Sequence, residues 1–164
     1  MHLPFPDDCF DVIVAGDCIY HQWVDDVKAV REFFRVLKPG GILIVNVAAF
    51  EFLRSKHDEA VMTGRRYTCN SLRKLLKSNG FHVDRLHYWN SLLFLPRALL
   101  LLLGVGDSEE SDLDIHPVLN VILRHVMEVE LACISRGVSF PFGTSVMGRA
   151  VKPMAGHRSK KRSL

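Results

Sequence analysis

The chain has 164 residues, of which 48% are hydrophobic and 24% charged, with a formal charge of +3. That length is one domain or part of one, and the composition excludes a disordered chain, a collagen-like repeat and a disulfide-dense miniprotein. Five of the 21 basic residues (Lys152, Arg158, Lys160, Lys161, Arg162) follow Val151 with no acid among them, which leaves 16 against 18 acidic residues in the rest. Bulk charge therefore does not support a nucleic-acid-binding face. The expected organisation is a folded portion over residues 1–152 and a basic, disordered tail over 153–164.

The opening LPFPDDC reads as a turn, with two prolines ahead of Asp7 and Asp8. FDVIVAG (Phe10 to Gly16) is a short continuous apolar run, the pattern of a strand buried on both faces. Val27, Val30, Phe33, Phe34 and Leu37 recur at helical spacing behind Asp25 and Asp26, and Lys38-Pro39-Gly40-Gly41 supplies a helix stop. ILIVNVAA (Ile42 to Ala49) is a second apolar strand. Thr68 is placed to cap a helix through Leu72, Leu75 and Leu76 that ends at Asn79-Gly80. Phe81 to Tyr88 reads as a strand whose apolar parity changes between Val83 and Leu86, a sign of an edge position or a bulge.

An apolar stretch from Ser91 to Val105 and an acidic loop from Asp107 to Asp114 come next. A long helix then opens at Pro117, with Val118, Ile122, Val126, Val129 and Cys133 as its stripe and Gly137 as its close. Gly143 to Val151 is the last strand, expected antiparallel between Ile42–Ala48 and Phe81–Tyr88. Val146, Gly148 and Ala150 form its buried parity, and Arg149 emerges toward solvent or an acid. Cys18 and Cys133 read as small buried hydrophobes, and the absence of a C-x-x-C pair or export signal points to a reducing, cytoplasmic setting. The histidines show no H-E-x-x-H or i, i+4 pairing, so no metal site is expected.

The run LPFPDDCFDVIVAGDCIYHQWVDDVKAVREFFRVLKPGGILIVNVAAF resembles the second half of a class I S-adenosylmethionine-dependent methyltransferase domain of the type 11-like kind. The turn, strand, loop histidine, helix ending L-K-P-G-G and following strand carry the resemblance by their order and spacing. RRYTCNSLRKLLKSNGFHVDRLHYWNSLLFLPRALL is similar to the segment that follows strand five in one branch of that family. The resemblance implies an α/β fold: a partial Rossmann-like methyltransferase sheet, two parallel strands plus an antiparallel C-terminal pair, with helices on its faces. The family's glycine-rich cofactor loop has no counterpart, because Met1 stands just upstream of the strand matching the family's fourth. The sequence reads as a chain lacking roughly 90 residues of that fold at its amino end.

By resemblance, S-adenosyl-L-methionine is the cofactor. Ala15, Gly16 and Asp17, at the end of the first strand, lie where backbone approaches the cofactor, and His21 is the family's loop histidine. His57, Arg66 and Tyr67 follow the second strand on the side where substrate sits. The bland alternatives are that Gly16 only permits a turn, that His21 is a surface histidine, and that Arg65 and Arg66 pair with Asp58 or Glu59. No general base is identified.

Three readings of function follow. One is methyl transfer to a small-molecule or lipid-like substrate, incomplete in this chain. Another is a non-catalytic interaction module, or truncated isoform, offering its open sheet edge to a protein partner. A third reading has the leucine-rich segment and basic tail contacting a membrane surface.

Overall fold

The computed structural model describes residues 2–102 and 117–154, and the expected acidic loop and most of the basic tail lie outside these. A four-stranded mixed sheet organises them in the order β1-β2-β4-β3. β1 (Phe10–Gly16) leads through α1 (Asp26–Val36) to β2 (Leu37–Ala48), which lies parallel to it. A 3-10 turn (Glu51–Leu53), the short α2 (Lys56–Ala60) and α3 (Cys69–Ser78) precede β3 (His82–Trp89). After α4 (Phe94–Leu102) and α5 (Pro117–Ser135), β4 (Ser145–Val151) returns antiparallel between β2 and β3.

Local chemistry accounts for each boundary. The Asp25 side chain accepts the Lys28 N–H and opens α1, which buries Ala29, Val30, Phe33 and Val36 against the sheet. At the other end of α1, Lys152 Nζ donates to the carbonyls of Phe34 and Leu37 at 2.8 and 2.7 Å and pairs with Asp8. Lys152 is thus a helix-terminal anchor. Thr68 caps α3 by accepting from Ser71 N–H, and Gly80 closes it at φ 94 with the Phe34 ring packed against its Cα.

The sheet matches the expected topology, including the inserted antiparallel β4. The bulge inferred from parity is present as a register shift between Val83 and Arg85. Val146, Gly148 and Ala150 are buried, while Arg149 is exposed and pairs with Asp84 at 3.5 Å.

Four expectations need correction. β1 is covered on one face only: it is an edge strand, and Val12 and Val14 are 48% and 70% exposed. β2 begins at Leu37, five residues before Ile42, because Leu37 pairs with Phe10 and Gly40 and Gly41 exchange backbone bonds with Lys152. Cys18 and Cys133 are half-buried, although burial still pushes the Cys18 thiol above its usual range, helped by the charge of Asp17. In α5, Ile122 and Val129 are exposed, and among the described side chains the buried positions are Glu130 and Ile134. Ile122 and Val129 line an open groove with Leu92, Val121, His125 and Val126.

Candidate functional site

The carboxyl ends of β1, β2 and β3 lie on one edge of the sheet, the edge where open α/β sheets place ligands. β1 ends there at Ala15, which is buried, and Gly16, around which a Cβ would meet nothing within 4 Å. Asp17 follows in the left-handed region at φ 49, its N–H donating to the Asn46 carbonyl at 3.1 Å. Asn46 stands beside Gly16 in the β1–β2 register. Its Nδ2 donates to both carboxylate oxygens of Asp17, at 3.2 and 3.1 Å, which turns Oδ1 the other way. That oxygen is buried and has no partner. Tyr20 donates to Asp17 at 3.3 Å; burial, then the charge of Asp17, pushes its hydroxyl up to about 12.

The loops after β1 and β2 are zipped together above this edge. His21 bridges Thr63, Gln22 N–H donates to the Met62 carbonyl, and Gly64 and Arg65 both donate to the Tyr20 carbonyl. Tyr67 sits beside Ala49, donates its hydroxyl to Asp26 at 2.6 Å, and Arg65 reaches the other oxygen of Asp26 at 2.8 Å. Burial and that carboxylate hold the Tyr67 hydroxyl well above the usual phenol range. Arg66 holds Asp58 and the Ala49 carbonyl. His21, Arg66 and Tyr67 therefore gather at the expected edge, but the polar groups of Arg66 and Tyr67 are spent on loop closure. His57 is exposed on α2.

The residues that line the edge beyond β2 are aromatic, and sequence inspection missed them. Phe50 stacks on Tyr88 with ring centroids 4.8 Å apart, and Phe52 lies 5.3 Å from Phe50. Phe94 of α4 meets Phe50 at 5.8 Å and Phe142 at 5.0 Å. Such contacts are worth about 0.5–1.5 kcal/mol each beyond area burial. Phe52 remains largely exposed, as do Leu95 and Leu99 of α4, so the wall presents an apolar surface. Among the described residues no cluster of His, Cys, Asp or Glu could hold a metal ion, and no helix is long and apolar enough to cross a membrane.

The geometry defines a Rossmann-like mixed sheet with an open carboxyl edge. Residues 1–45 match the family model described as "Methyltransferase domain". The ubiquinone/menaquinone biosynthesis C-methyltransferase UbiE of Vibrio vulnificus is 41% identical over 73 residues, covering 44% of this chain and 26% of that protein. An S-adenosylmethionine-dependent methyltransferase from Mesorhizobium loti superposes with TM-score 0.53 at 12% identity, over 92% of this chain and 64% of the other. The [4+2]-cyclase SpnF superposes with TM-score 0.51 at 21% identity, over 93% and 53%. The resemblance read from the sequence stands: the opening segment is similar to a methyltransferase domain, and the fold is similar to that of solved S-adenosylmethionine-dependent methyltransferases. The chain spans from 16% to 32% of the length of the curated relatives it matches.

Proposed function

We propose that this chain serves S-adenosylmethionine-dependent methyl transfer to a small, apolar or lipid-like acceptor. The carrying observation is the open, exposed backbone at Gly16 beside the unpartnered Asn46 Oδ1 on the carboxyl edge. A buried acceptor left without a partner costs about 1–3 kcal/mol, and a ligand N–H at that oxygen would remove the cost. These residues fit the amino-acid end of the cofactor: Gly16 lets it approach the backbone, and Asn46 offers an acceptor that Asp17 holds in orientation. When bound, S-adenosylmethionine supplies an electrophilic methyl group.

Positioning provides most of the catalysis in methyl transfer. The Phe50–Tyr88–Phe94 wall would orient an apolar acceptor and exclude water, which accords with the quinone-pathway name of the Vibrio relative. His21 would touch the acceptor from the loop above. Four free cysteines accord with a reducing, cytoplasmic setting.

Calorimetric titration of the full chain with S-adenosylmethionine tests this. Micromolar binding that is lost in Asn46→Ala is expected, and no detectable heat from the wild type would overturn it. A second reading, an interaction module, is favoured by the uncovered β1 edge, where another polypeptide strand could pair. It predicts partner capture that survives Asn46→Ala.

A further inference from the structure

The buried face of α5 carries a carboxylate in its middle. Glu130 is 0% exposed, one turn from half-buried Val126 and one from buried Ile134. Its two oxygens accept the backbone N–H groups of Ser91 at 2.8 Å and Leu92 at 3.3 Å. Asn90, just before them, adopts φ 58, a left-handed turn that aims successive N–H groups at one anion. The same turn enters α4, with Phe94 N–H donating to the Ser91 carbonyl at 3.2 Å, so Glu130 also faces the amino end of that helix.

Among the described residues, few other links tie these two helices to the sheet. The close element pairs are strand with strand, α1 with β2 and α3, and α3 with β3. The further links are Arg85 Nη2 to the Ile134 carbonyl at 3.1 Å and the Phe94 ring in the aromatic wall. A buried carboxylate is a poor source of net stability, but removing its partners while it stays buried is strongly destabilising. Burial, then the charge of Arg85, holds His87 below the usual imidazole range beside it.

We propose that Glu130 is a positioning residue that docks α5 and the turn before α4 as one unit on the carboxyl edge, and so sets Phe94 in the aromatic wall. The role of that wall toward an acceptor rests on the function proposed above; the docking itself does not.

Residue-resolved amide exchange on the full chain tests it, with Glu130→Ala and Glu130→Gln beside the wild type. Glu130→Ala is expected to speed exchange at Ser91, Leu92 and the α4 amides by about tenfold or more, with the β2 and β4 amides unchanged. Glu130→Gln keeps one acceptor oxygen, and is expected to retain protection at Ser91 while losing it at Leu92. Unchanged exchange at both amides in either variant would overturn the proposal. So would acceleration spread equally through β2 and β4, which marks a general stability role. Should Glu130→Ala fail to fold, the Glu130→Gln pattern decides. The readout needs neither cofactor nor acceptor, so its failure is separable from a failed S-adenosylmethionine titration.

Discussion

Arg66 grips Asp58 with two nitrogens, Nε at 3.1 Å and Nη2 at 2.8 Å from Oδ1, in a place where the two side chains are 12% and 3% exposed. Nη1 also donates to the Ala49 carbonyl, tying the loop after β2 to the strand it leaves. Burial raises the Asp58 carboxyl, but the bonds from Arg66 and the Ser55 N–H outweigh it and hold the group below the usual carboxylate range. Removing one partner of such a pair leaves an uncompensated buried charge, so Arg66→Ala is expected to cost about 3–5 kcal/mol. A urea melt measures this. An Arg66 reserved for a substrate anion would instead give a variant as stable as the wild type.

Acid should weaken the fold through Glu32. Arg35 forks onto its carboxylate and the Leu3 N–H donates to it, which together hold it down to about 2 from 4.5. A carboxyl depressed in the folded state contributes stability that is present above its unfolded value and lost as pH falls. The loss from this group should therefore run from about pH 4.5 down to about 2. Glu32→Gln is expected to flatten the melting-temperature profile in that window and to leave its shape near neutrality alone.

The strands were legible because a two-residue period and an apolar run each constrain a backbone. Even the bulge at Val83–Arg85 showed, since a parity change leaves a trace in the sequence. What covers a strand leaves none: the Val12–Val14 face reads the same whether or not a helix lies over it. The aromatic wall was hidden because Phe50, Tyr88, Phe94 and Phe142 meet only once β2, β3, α4 and the approach to β4 are assembled. Glu130 was invisible for a related reason. A glutamate among valines and leucines marks the polar face by pattern, and only the turn at Asn90 makes the inward position tolerable. The Arg66–Asp58 pairing was legible as an alternative, although sequence could not choose it over a substrate role.

Two glycines separate fold from site. A Cβ at Gly148 would lie 2.7 Å from the Arg85 carbonyl oxygen and overlap the Leu86 side chain, where β4 passes the β3 bulge. Gly148→Ala must push those strands apart, at a cost of about 1–3 kcal/mol. Gly16→Ala meets nothing and should alter stability by less than about 0.5 kcal/mol. Its methyl group would instead occupy the space assigned to the cofactor, so affinity for S-adenosylmethionine should fall while the melting temperature holds. Equal affinity in Gly16→Ala and wild type would remove Gly16 from the site.

The β1 edge makes the last prediction. Phe10–Gly16 pairs with β2 on one side, and among the described residues no strand pairs on the other. Val14 is 70% exposed, with Val12 and Ile44 also exposed, and Phe5, packed on Phe10 from the preceding turn, is exposed too. Asp11, at the amino end, is already neutralised by Lys38 at 2.9 Å, so charge does little to keep a second strand away. An unguarded apolar edge of this kind recruits strands from other chains. Sedimentation velocity should show concentration-dependent self-association of the wild type. Val14→Lys puts a charge on the exposed face without removing any buried contact, so it is expected to shift the population toward monomer and change stability by less than about 0.5 kcal/mol. A Val14→Lys variant that associates as the wild type does would show that another surface is responsible. One that unfolds would show that Val14 is covered in solution.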